Sequence, residues 1–180
     1  MGSWQRRSID QDAMERLILR SYPDPVLREV AAEITAFDRE LRELSEGMIE
    51  VLRRVGGIGL AAPQVGEGKR VLVAEVEERL VMLVDPVVAQ AEGEEVAQEA
   101  CLSVPGVLAP VRRAVRVTVK GKNRKGRGIT VRAEGLLARV LQHEIDHLDG
   151  ILFLDRVEDP STIERVGTEA PPLEVAAAVE

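Results

Sequence analysis

The spacing of hydrophobic residues changes twice along this chain, and these changes constrain its fold more than any other feature of the sequence. In residues 38–55 apolar side chains recur every three or four positions, which predicts an amphipathic helix capped by Asp38 or Thr35. Between residues 70 and 134 the apolar runs are short and rich in β-branched side chains, as in strands. The helical spacing returns in residues 136–148, which predicts a second helix.

Two β-hairpins are predicted in the central part of the chain. The segments RVLVAEV (70–76) and RLVMLVDPVV (79–88) are joined by a short charged turn, which is typical of a hairpin. The segments AVRVTVK (114–120) and GITVRAE (128–134) flank a polar, glycine-containing loop and predict a second hairpin. Strands therefore dominate the middle of the chain.

Length and composition limit the possible classes of protein. The chain has 180 residues, of which 45% are hydrophobic, enough for the core of a single domain. Its net charge of −7 indicates no basic surface for nucleic acid or anionic lipid. The lone cysteine, Cys101, excludes an internal disulfide, and no signal peptide or membrane-spanning run is evident. We therefore expect a cytoplasmic protein.

The pattern divides the chain into three parts. Residues 1–18 have a weak pattern and form an N-terminal extension. Residues 19–160 are predicted to form a single domain, and residues 161–180 a C-terminal tail whose last dozen residues are loosely ordered.

The segment LQHEIDHLDG, residues 141–150, contains both histidines of the chain. On a helix His143 and His147 lie on the same face, so that their imidazoles could bind one metal ion. Glu144 lies about 100° round the helix, near apolar side chains, where its pKa would be raised and where it could act as a general base. The alternative is that two histidines occupy a half-buried helix face by chance.

A third ligand would be needed for a metal site. The chain has no further histidine, so a downstream carboxylate, Glu158 or Glu164, is one candidate, as in metallopeptidases. The other is Cys101, in the extended segment QEACLSVPG. Taken alone, Cys101 could equally be an inert buried thiol.

The segment GGIGLAAPQVG, residues 56–66, has features of a substrate-binding loop. Gly57 and Gly59 leave the backbone open to close approach, and the amide of Gln64 could donate a hydrogen bond to an oxyanion. The alternative is a loop that ends a helix and carries a surface glutamine.

Together, GIGLAAPQVG, EACLSVPG and QHEIDHLDG, in this order, resemble the three motifs of the peptide deformylases, and YPDPVLREVA resembles the usual opening of that family. The similarity extends from about Leu19 to Asp155. It implies an α+β fold in which antiparallel sheets pack around a central metal-binding helix. It also implies an enzyme that hydrolyses the N-formyl group from the initiator methionine of nascent chains and releases formate.

Matching the motifs position by position implies a role for each site residue. The metal ligands would be Cys101, His143 and His147. Glu144 would act first as the base and then as the proton donor, while Gln64 and the backbone N–H of Leu102 would hold the oxyanion. The resemblance implies one divalent ion, natively Fe²⁺, although Zn²⁺, Ni²⁺ or Co²⁺ could occupy the site in purified protein.

The resemblance also implies how the substrate is bound. The residues expected to line the peptide and its methionine side chain are Gly57, Ile58, Gly59, Ala100, Leu136 and Val140. The partners would be N-formylmethionyl peptides emerging from a bacterial ribosome, with no direct contact to nucleic acid or membrane.

The sequence departs from the family pattern near the site. Ala100 replaces a glycine that usually precedes the cysteine, which could narrow the site and leave a weak or catalytically silent relative. Arg139 lies where an apolar residue would be usual; we expect a solvated side chain, or one reaching the rim of the pocket. Asp146 is likewise expected on a solvated face, with Arg112 or Arg113 as an alternative partner.

Overall fold

Two antiparallel sheets and two α-helices make up the part of the chain that the computed structural model describes, residues 17–167. Most of the predicted N-terminal extension and the last part of the predicted tail lie outside these residues. The helices are α1 (Arg39–Arg54) and α2 (Gly135–Leu148). The strands are β1 (Gly59–Ala61), β2 (Val71–Val76), β3 (Arg79–Glu92), β4 (Glu95–Cys101), β5 (Val104–Arg113), β6 (Arg116–Lys122), β7 (Gly128–Glu134) and β8 (Glu164–Arg165).

The first sheet has five strands in the order β1-β2-β3-β6-β7, and the second has three in the order β4-β5-β8. Both predicted hairpins are confirmed, as β2–β3 and β6–β7, although β3 continues to Glu92 beyond the predicted end. The predicted α+β class, with antiparallel sheets around a central helix, is also confirmed.

Helix α1 is the predicted helix of residues 38–55, and its cap is Asp38 rather than Thr35. The Asp38 carboxylate accepts a hydrogen bond from the backbone N–H of Leu41 at 3.2 Å, which satisfies a donor that the first turn leaves unpaired. The apolar face of α1 packs against one side of the five-stranded sheet.

Strand β2 is buried on both faces because the two helices cover opposite sides of the sheet. Val71 and Val73 belong to the core with α1, whereas Leu72 and Ala74 belong to the core with α2. This two-sided burial explains why RVLVAEV is an almost continuous apolar run.

Helix α2 occupies the centre of the molecule. Its residues Leu137, Leu141 and Leu148 pack on the five-stranded sheet, and its polar face is turned to β4 of the other sheet. A third apolar core joins β5 to the segment that follows α2, around Phe153. Neither helix of the described residues has the length and hydrophobicity of a membrane span.

Candidate metal centre

Three separate elements bring polar side chains to one buried place. Strand β4 ends at Cys101, helix α2 carries His143, Glu144 and His147, and a short 3-10 turn, Ala62–Val65, carries Gln64. All five side chains are buried. They come from the three separate sequence segments that resemble the family motifs. The fold therefore brings together the residues predicted to form the site.

Cys101, His143 and His147 form a cluster in which one ligand atom from each lies within 4.8 Å of the others. The Cys101 Sγ lies 3.2 Å from His147 Nε2. The two imidazole rings are 4.9 Å apart between centroids and inclined at 75°. The predicted trio is thus able to converge on a single ion, and its role as ligand set stays a prediction.

The orientation of the histidines suits a metal ion. Glu99 Oε2 lies 2.9 Å from His143 Nδ1, so this hydrogen bond occupies Nδ1 and leaves Nε2 as the nitrogen available to a metal. His147 directs Nε2 towards the Cys101 sulfur. Two imidazoles and a sulfur ligand suit a borderline or soft divalent ion, and three protein ligands leave a coordination position for water. These residues therefore fit the metal that the resemblance implies.

The two imidazoles have pKa values shifted in opposite directions. Burial lowers the pKa of His147 well below its usual value, and the nearby His143 lowers it further. Burial also acts to lower the pKa of His143, but hydrogen bonds with Cys101 and Glu99 outweigh it and raise that pKa. A neutral His147 is the form that binds metals.

Glu144 is a buried carboxyl group beside the cluster. Burial raises its pKa from 4.5 to about 7, in the direction expected from the sequence. Its Oε2 has no hydrogen-bond partner within residues 17–167. A carboxyl group that titrates near neutrality and has a free oxygen can both accept and return a proton.

The amide of Gln64 is fixed on both sides. Its Oε1 accepts a hydrogen bond from the backbone N–H of Ala61 at 2.8 Å, so that Nε2 points towards Cys101 Sγ at 3.6 Å and Ser103 Oγ at 3.3 Å. The alternative of a surface glutamine is wrong, because Gln64 is 1% exposed.

Glu99 is a site residue that the sequence analysis missed. Its carboxylate accepts hydrogen bonds from Arg113 and Arg139 as well as contacting His143. Burial alone would raise its pKa, but the bonds with His143 and Arg113 outweigh burial and lower the pKa to about 2. The spacing in the sequence could have predicted this residue, because side chains two positions apart on a strand share a face, as Glu99 and Cys101 do.

An open cleft of about 560 Å³ leads to the cluster. All six residues predicted to bind substrate line it, namely Gly57, Ile58, Gly59, Ala100, Leu136 and Val140. A larger depression of about 830 Å³ lies near the β2–β3 turn, but none of the three clustered ligands lines it. The chemistry, rather than the size, identifies the smaller cleft as the candidate site.

The solvated positions expected for Arg139 and Asp146 are wrong, whereas the alternative pairing of Asp146 with Arg113 is confirmed. Arg139 is 8% exposed and binds Glu99 together with two backbone carbonyls, because the polar side of α2 faces β4 rather than water. Asp146 is also buried, and it is paired with Arg113 and Arg156 rather than solvated. Arg112, the other suggested partner, binds Glu158 instead.

Ala100 does not crowd the buried cluster of Cys101, His143 and His147. It is exposed, whereas Glu99 and Cys101 on either side of it are buried, so its methyl group is not packed among the buried site residues. The backbone there does not have the positive φ that would require glycine. The geometry gives no support to a site silenced by Ala100.

The alternative third ligands lie elsewhere. Glu158 accepts hydrogen bonds from Arg112 at the surface, and Glu164 lies on the exposed strand β8. Within the described residues neither joins the cluster of Cys101, His143 and His147. The alternative of a metallopeptidase with a downstream glutamate is therefore not favoured.

Comparisons with known proteins agree with this geometry. The family model for polypeptide deformylase matches residues 17–162. The peptide deformylase of Dictyoglomus thermophilum is 47% identical over 138 residues, 77% of this chain and 90% of the relative. That of Heliobacterium modesticaldum is 50% identical over 136 residues, 76% of this chain and 90% of the relative.

Solved structures give the same result. A peptide deformylase from Synechococcus elongatus in complex with actinonin has a TM-score of 0.78 and 43% identity, with 81% of each chain covered. The peptide deformylase from Thermotoga maritima has a TM-score of 0.77 and 40% identity, covering 79% of this chain and 98% of that one. The resemblance inferred from the three motifs is confirmed, and the chain belongs to the peptide deformylase family, whose members are metal-dependent hydrolases.

Proposed function

We propose that this protein removes the N-formyl group from the initiator methionine of nascent polypeptides, with residues 19–160 as the catalytic domain. The observation that carries the proposal is the convergence of Cys101, His143 and His147 beside the buried Glu144, at the end of an open cleft. A purely structural metal site would have no need of a free carboxyl group next to it.

Cys101, His143 and His147 would hold one divalent ion, which when bound supplies Lewis-acid activation of water and of the formyl carbonyl group. Glu99 supports this set by fixing the ring of His143 through Nδ1. We propose Fe²⁺ as the native ion. Zn²⁺, Ni²⁺ or Co²⁺ are the ions expected to replace it in purified protein, because the same sulfur and nitrogen ligands bind them well.

Glu144 would move the proton. It takes a proton from water as the water oxygen adds to the formyl carbon, and it returns that proton to the amide nitrogen as the C–N bond breaks. The products are formate and a free amino terminus. A pKa of about 7 suits both steps, because the group is neither too weak a base nor too weak an acid at neutral pH.

Gln64 and the backbone N–H of Leu102 would stabilise the negative charge that develops on the formyl oxygen. The hydrogen bond from Ala61 holds the Gln64 amide group with its N–H side towards Cys101, so little reorganisation is needed. Leu102 follows the ligand Cys101 directly and lines the cleft.

The cleft would hold the peptide between two segments. Gly57, Ile58, Gly59 and Ala100 all line it, and Gly59 lies in strand β1, so the peptide could bind β1 as an added strand. Leu136 and Val140 of α2 would contact the methionine side chain. The substrates would be chains emerging from the ribosome in the bacterial cytoplasm, without direct binding to nucleic acid or membrane.

The proposed function is tested by anaerobic assay of Fe²⁺-loaded protein with formyl-Met-Ala-Ser and acetyl-Met-Ala-Ser. We expect rapid formate release from the first peptide and at least about a hundredfold slower acetate release from the second, because an added methyl group crowds a small acyl site. Metal-loaded protein that hydrolyses neither peptide would contradict the proposal.

A further inference from the structure

Arg139 is the one charged side chain of α2, other than the metal-site residues, that lines the cleft within the described part of the chain. It lies one position before Val140, a predicted contact of the methionine side chain. It is 8% exposed and lines the cleft, so its side chain belongs to the cleft wall rather than to the outer surface. The ion pair with Glu99 accounts for its buried charge but not for all of its hydrogen-bond donors.

The hydrogen bonds of Arg139 use only part of its donors. Nη1 donates to Glu99 Oε1 and to the Val111 carbonyl, both at 2.8 Å, and Nη2 donates to the Glu95 carbonyl at 2.9 Å. An arginine side chain carries five N–H donors, so the Nε–H and one N–H of Nη2 remain. Within residues 17–167 they have no protein partner.

These two nitrogens are a pair that binds oxygen acceptors well. On the surface of the same protein, Arg112 uses its Nε and Nη2 to hold both carboxylate oxygens of Glu158. In Arg139 the bonds to Glu99, Val111 and Glu95 fix the guanidinium group in place. Arg139 lines the cleft together with the apolar side chains of Leu136 and Val140, so its remaining donors are placed to bind a ligand beside them.

The substrate side chain determines what this donor site can recognise. The sulfur of methionine is a weak acceptor, whereas methionine sulfoxide has the same length and carries a strongly accepting oxygen. An entirely apolar pocket would exclude the sulfoxide because its oxygen would be buried without a donor.

We propose that Arg139 is a specificity-determining residue that extends the substrate range to chains beginning with N-formylmethionine sulfoxide, through hydrogen bonds to the sulfoxide oxygen. This inference rests on the proposed function. It assigns to the protein the removal of the formyl group from oxidised as well as intact initiator methionine.

The test is a competition in one vessel between formyl-Met(O)-Ala-Ser and formyl-Nle-Ala-Ser, with the two products separated by mass. Norleucine has the length of methionine but no acceptor. The ratio of the two kcat/KM values is independent of the active fraction and of metal loading, which matters because Arg139 also contacts Glu99. Formyl-Met-Ala-Ser is assayed separately as the reference substrate.

Three variants isolate the role of Arg139. Arg139→Met keeps the stem of the side chain and removes the donors, and Arg139→Lys retains a charged donor. Arg113→Met is the matched control, since Arg113 binds the same Glu99 carboxylate but does not line the cleft.

For the wild type we expect a sulfoxide-to-norleucine ratio within about tenfold of unity, since hydrogen bonds from a charged donor offset the cost of burying the oxygen. Arg139→Met should lower the ratio at least about tenfold, while Arg139→Lys and Arg113→Met should leave it within about threefold of the wild type.

Two results would overturn the inference: an unchanged ratio in Arg139→Met, or an equal fall in Arg113→Met. If Arg139→Met fails to fold, a wild-type ratio below about one hundredth overturns it alone, because an apolar pocket explains that value. Absence of turnover with formyl-Met-Ala-Ser would instead contradict the proposed function, so the two failures are distinguishable.

Discussion

At the scale of single residues, the chemistry of the site depends on how closely Glu144 is enclosed. Its carboxyl group lies against Gly59 of β1, where no side chain intervenes. The same burial raises its pKa to about 7. The absence of a side chain at this glycine therefore makes room for the predicted general base.

The contact predicts that Gly59→Ala impairs catalysis without unfolding the protein. An added Cβ would overlap Glu144 Oε1 and lie 2.7 Å from Val140 Cγ1, so both side chains must move. We expect kcat for formyl-Met-Ala-Ser to fall about a hundredfold, the effect of displacing a catalytic group by about 1 Å. Steady-state assays on metal-loaded protein measure this.

Gly68→Ala is the matched control. A Cβ at Gly68 meets no atom within 4 Å, and its φ lies outside the left-handed region, so this variant should retain the wild-type kcat. Equal activity of the two variants would mean that Glu144 is not positioned through Gly59.

At the scale of secondary-structure elements, strand β4 supplies two different functions from one face. Cys101 is a predicted ligand, and Glu99, two residues earlier, fixes His143 on the facing helix. The two arginines that bind Glu99 come from different elements, Arg113 from β5 and Arg139 from α2. The Glu99 carboxylate therefore links β4 and β5 to helix α2.

This arrangement predicts an acid-sensitive contribution of Glu99 to stability. Its folded-state pKa of about 2 is lower than the usual 4.5, so its charge stabilises the fold above about pH 4.5, and this stabilisation is lost as the pH falls towards 2. Between pH 6 and pH 3, the wild-type free energy of unfolding should fall about 2 kcal/mol more than that of Glu99→Gln. Urea unfolding of metal-free protein at both pH values measures the difference.

Glu158→Gln provides the control for the loss of an arginine–glutamate pair. Glu158 is paired with Arg112 at the surface, where solvent screens the interaction, so this variant should follow the wild type closely. If Glu99→Gln loses as much stability with acid as the wild type does, the depressed pKa is not the cause.

The elements with a regular local pattern were predictable from the sequence, and the others were not. Helices α1 and α2 have clear helical periodicity, and both hairpins consist of short β-branched runs that flank a turn. Strand β5 contains Pro105 and Pro110, which obscure its pattern, and β8 has only two residues. Arg139 was misassigned because arginine favours solvent, and its partner Glu99 lies 40 residues away in sequence.

At the scale of the whole molecule, the predicted site joins the two sheets. Cys101 comes from the three-stranded sheet, whereas His143 and His147 lie on the helix that packs against the five-stranded sheet. The three motifs in the sequence identified these residues. The sequence did not show that they connect two sheets, because the three-stranded sheet had no recognisable pattern.

Because the predicted ligands come from both halves of the fold, we expect metal binding to stabilise the entire domain. The unfolded chain has no preformed ligand cluster, so an ion at about a hundred times its Kd should raise Tm by about 5–10 °C. Cys101→Ser should lose most of this increase, and Glu164→Ala should retain it. Thermal unfolding with and without Ni²⁺ measures both, and an equal rise in Cys101→Ser would show that the cysteine is not a ligand.

The central claim is that Glu144 performs proton transfer beside a metal held by Cys101, His143 and His147. Metal content and formate release from formyl-Met-Ala-Ser, measured on the same anaerobic samples of wild type and Glu144→Ala, test it most directly. We predict about one equivalent of Fe²⁺ or Ni²⁺ in both proteins, with turnover in the wild type and a loss of at least about a thousandfold in the variant. Turnover that survives in Glu144→Ala would contradict the account.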